Sequence, residues 1–303
     1  MRVGVDLGGT KIEAIALADS GEIVARERVP TPPGYDACVD AIASVVTAVE
    51  RTSGERGTIG IGIPGAVTPS TGLVKNANSV WLIGKPLGRD LEARLGRPVR
   101  LENDANCFAI SEASDGAAAG AHVVFGVILG TGVGGGIVVG GRCLDGVNLI
   151  AGEWGHNPLP WMTPDEFPGP KCYCGKLGCI EMFLSGPGFE RDYALATGEA
   201  ATSRVLVSRA ESGDAAAVAA LERYHDRLAR SLASVINVLD PDVIVLGGGM
   251  SNLPTLAESV LPRLPKYVFS DSVLTRVVCN KHGDSSGVRG AAWLWPVPVS
   301  PAK

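Results

Sequence analysis

The sequence predicts an α/β protein built from two domains, and three observations carry that expectation. At 303 residues the chain is too long for one minimal core and comfortable for two. Short apolar runs with strand character alternate with longer amphipathic stretches. One pattern also occurs twice: VGVDLGGTKIEAIALADSG around Asp6 and FGVILGTGVGGGIVVGG around Leu129 each read as an apolar strand, a glycine-rich turn and a second apolar strand. Leu7-Gly8-Gly9-Thr10 lines up with Leu129-Gly130-Thr131-Gly132. A duplicated domain with two hairpins facing one cleft accounts for this, although glycine turns also recur independently in mixed folds.

Residues 2–7 read as a buried strand, and 12–18 and 22–29 as strands turning at Asp19-Ser20-Gly21. From Tyr35 to Arg51 the spacing is helical, with Val39, Ile42, Val45, Val46 and Val49 on one face. Residues 58–63 (TIGIGI) make another buried strand, closed by Pro64-Gly65. A short helix covers Gly88 to Leu95 and a strand Pro98 to Leu101. Asn103 or Asp104 then caps an alanine-rich helix from Ala105 to about Ala119. No residue from Val123 to Gly141 is charged, which is long enough for a membrane span. Eight glycines there would each penalise a helix by about 1 kcal/mol, so two buried strands around a glycine turn fit better. The second half is helical from Ala215 to Leu239 and forms a strand from Asp242 to Leu246. A helix from Asn252 to Leu264 interrupted by Pro262, a strand from Val273 to Cys279 and a helix from Ser285 to Trp295 complete it.

Composition excludes several classes. A net charge of -5 argues against a nucleic-acid surface, since little would neutralise phosphates along a groove. The opening MRVGVDLGG has no basic segment followed by an apolar one, so no secretory signal is expected. Of seven cysteines, Cys172, Cys174 and Cys179 cluster as CYCGKLGC. A reduced cytoplasm with one thiolate metal site is a simpler account than a disulfide framework.

Four glycine- and acid-bearing motifs carry the chemistry. In DLGGTK (Asp6 to Lys11) the glycines let backbone N–H groups approach a phosphate, Thr10 and Lys11 add a hydroxyl and a cation, and Asp6 suits Mg²⁺ held through water. The same residues also suit a β-hairpin with a polar turn. GTGVGGG (Gly130 to Gly136) offers a second phosphate turn, and the apolar residues after it exclude a dinucleotide-binding helix. In LENDANC, Asp104 sits between a strand and a helix N-terminus, as a base that accepts a hydroxyl proton needs to, or as a plain N-cap. DVIVLGGGMS (Asp242 to Ser251) ends a buried strand in three glycines, where a flat adenosine lies on the backbone or the chain simply turns.

The metal signal is sharper. His156 lies sixteen positions before Cys172, and with Cys174 and Cys179 it supplies four ligands of the type that suits a closed, tetrahedral, structural Zn²⁺ site. The loop from Asn157 to Pro170 carries five prolines and needs such a staple. Glu153 and Glu181 flank the site in sequence and suit hydrogen bonds to sugar hydroxyls, as does the second ring nitrogen of His156.

Together these pieces resemble the ROK family (repressors, open reading frames and kinases) within the hexokinase–actin superfold. The resemblance rests on DLGGTK, GIPG at 62–65, ENDAN at 102–106, GTGVGGG, EWGH at 153–156, CYCGKLGCIE at 172–181 and LDPDVIVLGGG at 239–249. EWGH followed by CxCGxxGCxE is highly specific to that family.

The resemblance implies a two-lobed, duplicated ribonuclease-H-like fold with a cleft. One lobe would comprise residues 1–118 plus 286–303, the other residues 119–285 with the zinc-stapled loop. It implies Asp104 as catalytic base, and Asn78, Asn103, Glu153, His156 and Glu181 as sugar-binding residues. It implies MgATP held by Gly4, Asp6, Gly8, Gly9, Thr10 and Lys11, by Thr131, Val133 and Gly132, Gly134, Gly135, Gly136, and by Gly248 and Gly249.

The expected activity is ATP-dependent phosphorylation of the 6-hydroxyl of a free hexose in the cytoplasm. KNANSVWLIGKPL, GEWGHNPLPWM and HGDSSGVRGAAWLW resemble bacterial fructokinases that also accept mannose, and ENDANCFAISEA and ILGTGVGGG are shared with N-acetylglucosamine kinases. The family's sugar-sensing repressors carry a preceding helix-turn-helix; with the core starting at Arg2 and a net negative charge, no DNA-reading element is expected here. Homodimers are frequent in the family, although no residue here marks an interface.

Overall fold

The computed structural model describes residues 1–77, 79–253 and 255–295. Asn78, one of the expected sugar-binding residues, lies outside the described residues. The chain divides into two compact units: residues 1–120, 136–151 and Lys281 onward form the first, and residues 121–135 with 152–280 the second. The units therefore differ from the expected lobes chiefly in returning 136–151 to the first. Packing explains this, because a Cβ on Gly136 would lie 2.7 Å from the carbonyl of Ala105 and 2.9 Å from the Ala109 side chain.

The first unit opens with strands β1 (Arg2–Leu7), β2 (Lys11–Leu17) and β3 (Ile23–Pro30), then helix α1 (Tyr35–Ser53) and strand β4 (Thr58–Ile63). A two-stranded ribbon, β5 (Ala66–Val67) and β6 (Val74–Lys75), precedes α2 (Leu87–Leu95), β7 (Val99–Asn103) and α3 (Asp104–Ser114). Next come β8 (Val123–Leu129), β9 (Val133–Val139) and β10 (Arg142–Cys143). The second unit continues with α4 (Glu181–Leu184), α5 (Gly186–Thr197), α6 (Ser203–Glu211), the long α7 (Ala215–Leu239), β11 (Val243–Gly247), α8 (Leu256–Val260) and β12 (Arg276–Cys279). The chain then returns to the first unit as α9 (Ser286–Trp293).

The two sheets have the same plan. One runs β3-β2-β1-β4-β7 and the other β10-β9-β8-β11-β12, so each places its third, second, first, fourth and fifth strands in that order. In both, the fourth and fifth strands add in parallel to the first. The short sequence repeat at the two glycine turns is thus the visible part of a duplicated topology. Among the described residues, no helix is long and apolar enough to cross a membrane, and the uncharged stretch 123–141 forms β8 and β9.

The expected face of α1 is buried at Val39, Ile42, Val45, Val46 and Val49, against Val3, Val5, Ile59 and Ile61 of the sheet. The other face of the sheet receives α9. A Cβ on Gly4 would sit 2.1 Å from the Val288 carbonyl, and one on Gly60 would sit 1.8 Å from that of Ala291. The helix therefore lies on bare backbone of β1 and β4. Gly4, expected among the nucleotide-binding residues, has this packing role in mid-strand.

Two helices differ from expectation. Helix α3 stops at Ser114, because the fully buried Glu112 turns back to accept hydrogen bonds from the N–H of Ala117 at 2.8 Å and of Lys281 at 3.1 Å. Ser286 Oγ donates to the same carboxylate at 2.7 Å, tying the end of α3 to the start of α9. The expected helix 252–264 breaks into 3₁₀ turns at Gly249–Asn252 and Leu261–Lys266 around the five-residue α8. Pro262 and Pro265 lack the N–H an α-helix would use there.

Candidate active site

In the first unit the acidic residues gather where β1 and β7 end. Asn103 closes β7 and caps α3: its Oδ1 accepts the N–H of Ala105 at 2.9 Å and of Asn106 at 3.4 Å. Of the two residues that sequence offered as cap, Asn103 takes the role. Asp104 is then the first helical residue, with Oδ1 2.8 Å from the Ala105 N–H, in the positive field of the helix N-terminus. Asn103 Nδ2 donates to the carbonyl of Gly65 at 2.9 Å, so both ends of the amide expected to meet a sugar are engaged within the unit. Gly65 itself is required by φ +80° and by the Lys75 carbonyl, 2.4 Å from where its Cβ would be.

Asp6 approaches Asp104 from β1. Its carboxyl is raised to about 6, by burial first and then by the charges of Asp104 and Glu13, with that of Lys11 opposing them. The β1–β2 turn beside it is closed by Gly8 N–H donating to the Lys11 carbonyl at 3.0 Å. Thr31 pins the turn from β3's end, its Oγ1 donating to the Gly8 carbonyl at 2.7 Å and its N–H to the Thr10 carbonyl at 3.0 Å. A Cβ on Gly9 would meet nothing within 4 Å, so the turn backbone is open at that point.

A second acidic cluster lies behind the Asn103 cap. Glu102 Oε1 accepts from the N–H of Asn103 and from Asn106 Nδ2, both at 2.8 Å. Its carboxyl, Cys143 Sγ and Asp145 fall within 4.8 Å of one another. Its carboxyl is raised to about 7, chiefly by burial, which outweighs those two hydrogen bonds, and also by the neighbouring Asp145.

In the second unit the β8–β9 turn comprises Gly130 to Gly132, with the Gly130 N–H donating to the Gly132 carbonyl at 2.9 Å. Val133, Gly134, Gly135 and Gly136, read from sequence as part of a phosphate turn, lie instead in β9. Gly135 is small because the Gly152 carbonyl and the Trp154 ring would each meet its Cβ at 2.9 Å. Gly134 presents its carbonyl to Trp154 Nε1 at 2.9 Å. Only Thr131 and Gly132 of the expected set remain in the turn.

Three elements surround that turn. Glu181, at the start of α4, accepts the Val133 N–H at 3.0 Å, and its carboxylate leaves no room for a side chain on Gly132. The N–H of Gly186, first residue of α5, donates to the Gly130 carbonyl at 2.8 Å, bringing a capped helix N-terminus to the turn. Gly248, at φ +83°, presses on the Leu129 carbonyl, 2.5 Å from where its Cβ would be, whereas Gly249 has nothing within 4 Å. Ser185 and Gly186 were not singled out in the sequence, although Ser-Gly-Pro-Gly is a helix-start signal.

The cysteine cluster forms as expected. One ligand atom from each of His156, Cys172, Cys174 and Cys179 lies within 4.8 Å of all the others. Cys172 Sγ is 3.7 Å from His156 Nδ1, and the sulfurs of Cys174 and Cys179 are 3.5 Å apart. A tetrahedron with zinc–sulfur bonds of about 2.3 Å and zinc–nitrogen bonds of about 2.0 Å has edges of about 3.5–3.8 Å, so the donor set and its size both fit Zn²⁺. His156 Nε2 lies 3.0 Å from the Tyr173 hydroxyl. The nitrogen expected to face a sugar is thus occupied by Tyr173. Glu153 is exposed at the start of the 3₁₀ turn Trp154–His156.

The proline-rich loop has a second anchor that the sequence did not reveal. Glu166 accepts hydrogen bonds from Arg230 at 2.8 and 2.9 Å and from Arg227 at 2.8 Å. Arg230 also donates to the carbonyls of Pro160 and Trp161, at 3.1 and 2.8 Å.

A duplicated α/β topology, a carboxylate on a helix N-terminus and a Cys₃His cluster define the class. A family model described as the ROK family matches residues 2–297. The chain belongs to the ROK family. Over 300 residues it is 43% identical to N-acetyl-D-glucosamine kinase of Escherichia coli O6:H1, covering 97% of this chain and 99% of the relative. Its fold matches the ROK hexokinase of Thermus thermophilus with a TM-score of 0.86 and 36% identity, covering 97% of each chain. A ROK glucokinase from Streptomyces griseus, solved with glucose and AMPPNP, matches with a TM-score of 0.77 and 31% identity over 96% of this chain and 97% of that one.

Proposed function

We propose that this protein is an ATP-dependent sugar kinase whose substrate is N-acetyl-D-glucosamine. The observation that carries the sugar is the end-to-end identity of 43% with N-acetyl-D-glucosamine kinase. It displaces the fructose preference expected from KNANSVWLIGKPL, GEWGHNPLPWM and HGDSSGVRGAAWLW and favours the alternative suggested by ENDANCFAISEA and ILGTGVGGG. The likeness to a glucokinase solved with glucose and AMPPNP supports a nucleotide phosphoryl donor.

Asp104 acts as the base. It accepts the proton of the sugar hydroxyl as that oxygen bonds to the γ-phosphorus and the bond to the bridging oxygen breaks, releasing ADP. The open backbone at Gly9, the Thr131–Gly132 turn, the α5 N-terminus and Gly249 supply N–H groups to the nucleotide phosphates and its adenosine end. Magnesium bound with the nucleotide supplies charge that offsets the transferring phosphoryl, and Asp6 is the side chain suited to hold its water shell. Glu153 and Glu181 accept hydroxyl hydrogen bonds from the sugar. The zinc bound by His156, Cys172, Cys174 and Cys179 is structural: it ties together the two ends of the loop that Glu153 and Glu181 flank.

The test is ADP release with MgATP against N-acetylglucosamine, fructose, mannose, glucose and N-acetylmannosamine, with a no-sugar control. The highest kcat/KM for N-acetylglucosamine is expected. Preference for fructose would restore the other sugar under the same mechanism, and no turnover on any sugar with MgATP bound would remove the kinase reading.

A further inference from the structure

Glu13 is 2% exposed, and burying a carboxylate is strongly unfavourable unless it is paired. Three cations converge on it: Lys11 Nζ at 3.3 Å, Arg26 at 2.8 Å and Arg28 at 2.8 Å. Strand register explains the gathering. Glu13 is the cross-strand partner of Asp6 on one side and of Arg28 on the other, so the three side chains form one row over β1, β2 and β3. Two carboxylates directly opposite one another destabilise a sheet, and the three cations compensate for them. Three cations therefore meet one buried carboxylate next to the β1–β2 turn. The cations are 38–50% exposed and so can meet an anion from solvent, whereas Glu13 cannot. Arg26 is further fixed by Ser285 Oγ at 3.1 Å.

We propose that Glu13 is a positioning residue of the phosphoryl-donor site, gathering Lys11, Arg26 and Arg28 so that the Lys11 ammonium is held beside the β1–β2 turn to meet the nucleotide phosphates. The inference rests on the kinase reading above and adds a residue to it. Register sets Glu13 directly opposite Asp6, with Lys11 Nζ 3.3 Å from the Glu13 carboxylate, and in keeping with this Glu13 raises the Asp6 carboxyl while Lys11 lowers it. Glu13 touches no substrate and acts through Lys11.

The sign of one measurement separates positioning from simple charge. By Coulomb attraction alone, removing a negative charge near a phosphate site tightens anion binding. Removing a positioning group loosens it. MgATP affinity is therefore measured by calorimetry, with steady-state KM values for MgATP and sugar, for wild type, Glu13→Gln, Lys11→Met and the double variant. Each single substitution is expected to raise the MgATP Kd by about tenfold, the scale of one charged hydrogen bond, with the sugar KM within about twofold. The double variant is expected to be no worse than Lys11→Met, because residues acting through one contact are not additive.

Unchanged or tighter MgATP binding by folded Glu13→Gln would overturn the proposal, as would effects that multiply to about a hundredfold in the double variant. Should Glu13→Gln fail to fold, Glu13→Asp keeps the charge one methylene shorter, and an intermediate loss of affinity is expected. A wild-type Kd in that variant would equally overturn it. Wild-type protein that binds MgATP but phosphorylates no sugar would defeat the kinase reading alone, and the Glu13 comparison would still be decided by calorimetry. Wild-type protein that binds no MgATP would defeat both.

Discussion

Glu166 grips the guanidinium of Arg230 through both oxygens, at 2.8 and 2.9 Å, with the two side chains 8% and 3% exposed. This fork joins the proline-rich loop to the middle of α7, and Arg227 completes it from the next turn. Removing one partner leaves buried guanidinium groups without their carboxylate. Glu166→Gln is therefore expected to destabilise the protein by about 3–5 kcal/mol, read as a fall in urea midpoint at unchanged m-value. The pH dependence follows. Burial alone would raise Glu166, but the hydrogen bonds from Arg230, Arg227 and the Thr163 N–H outweigh it and lower the carboxyl from the ordinary 4.5 to about 2. A lowered acid contributes stability that is fully present above about 4.5 and lost as the pH falls toward about 2. Wild type should lose more stability than Glu166→Gln across that window. Parallel pH curves for the two would show that the fork carries no such linkage.

Glu102 has the opposite sign. Its carboxyl is raised from 4.5 to about 7, so the protonated form is favoured in the fold and stability is lost as the pH rises through that range. The Asn103 N–H and Asn106 Nδ2 both donate to Oε1, which glutamine retains. Glu102→Gln should therefore match wild type near pH 4 and exceed it in thermal midpoint at pH 8. Equal midpoints at pH 8 would mean that Glu102 does not hold its proton into the neutral range.

The glycines were read from sequence as turns and phosphate cradles, and several proved to be contact surfaces. On α9, a Cβ at Gly290 would lie 1.6 Å from the Cys107 carbonyl of α3, whereas one at Gly287 would meet nothing closer than 3.8 Å. Gly290→Ala must push two helices apart and is expected to cost at least about 3 kcal/mol, the upper part of the usual overpacking range. Gly287→Ala should be neutral or stabilising by up to about 1 kcal/mol through helix propensity. Urea midpoints of the two variants decide this, and similar values would remove the close helix contact.

What was legible in the sequence follows from how local each signal is. The strand–turn–strand repeat was readable because two apolar runs and the glycine turn between them lie within about twenty residues, whereas the shared strand order depends on pairings far apart in sequence. The cysteine cluster was readable because ligand type and spacing already state its chemistry. A glycine letter, by contrast, does not say whether the chain needs a positive φ, as at Gly248, or another backbone at close range, as at Gly4 and Gly135. Glu166 and Arg230 are 64 positions apart, and nothing near either one announces the other. The Asn103 cap was half legible: two adjacent residues were equally suited, and only the backbone path assigned the cap to Asn103 and the first helical position to Asp104.

Zinc occupancy is directly measurable. Cys174 is exposed, so Cys174→Ser removes a thiolate with little loss of packing. Its neighbours His156, Cys172 and Cys179 would be left with three donors where a structural site needs four. Elemental analysis should give about one zinc per chain for wild type and a large loss for the variant, with a lower thermal midpoint. Full zinc content in Cys174→Ser would show that Cys174 is not a ligand. Wild type purified under reducing conditions without zinc would reduce the cluster to packed thiols.

Asp104 provides the sharpest separation of chemistry from structure. Its carboxylate accepts the Ala105 N–H at 2.8 Å, but the α3 cap itself is Asn103. Asparagine at 104 keeps an oxygen for that N–H and loses the basic site. The variant Asp104→Asn is therefore expected to keep the wild-type melting temperature and MgATP affinity while kcat falls by about 10²–10⁴, the usual contribution of a general base. The sugar KM should change little, because the interaction is made as the proton moves rather than on binding. A folded variant with near-normal kcat would remove Asp104 as the base. Equal losses of stability and of kcat would instead assign it to the start of α3, the structural role that the sequence alone left open.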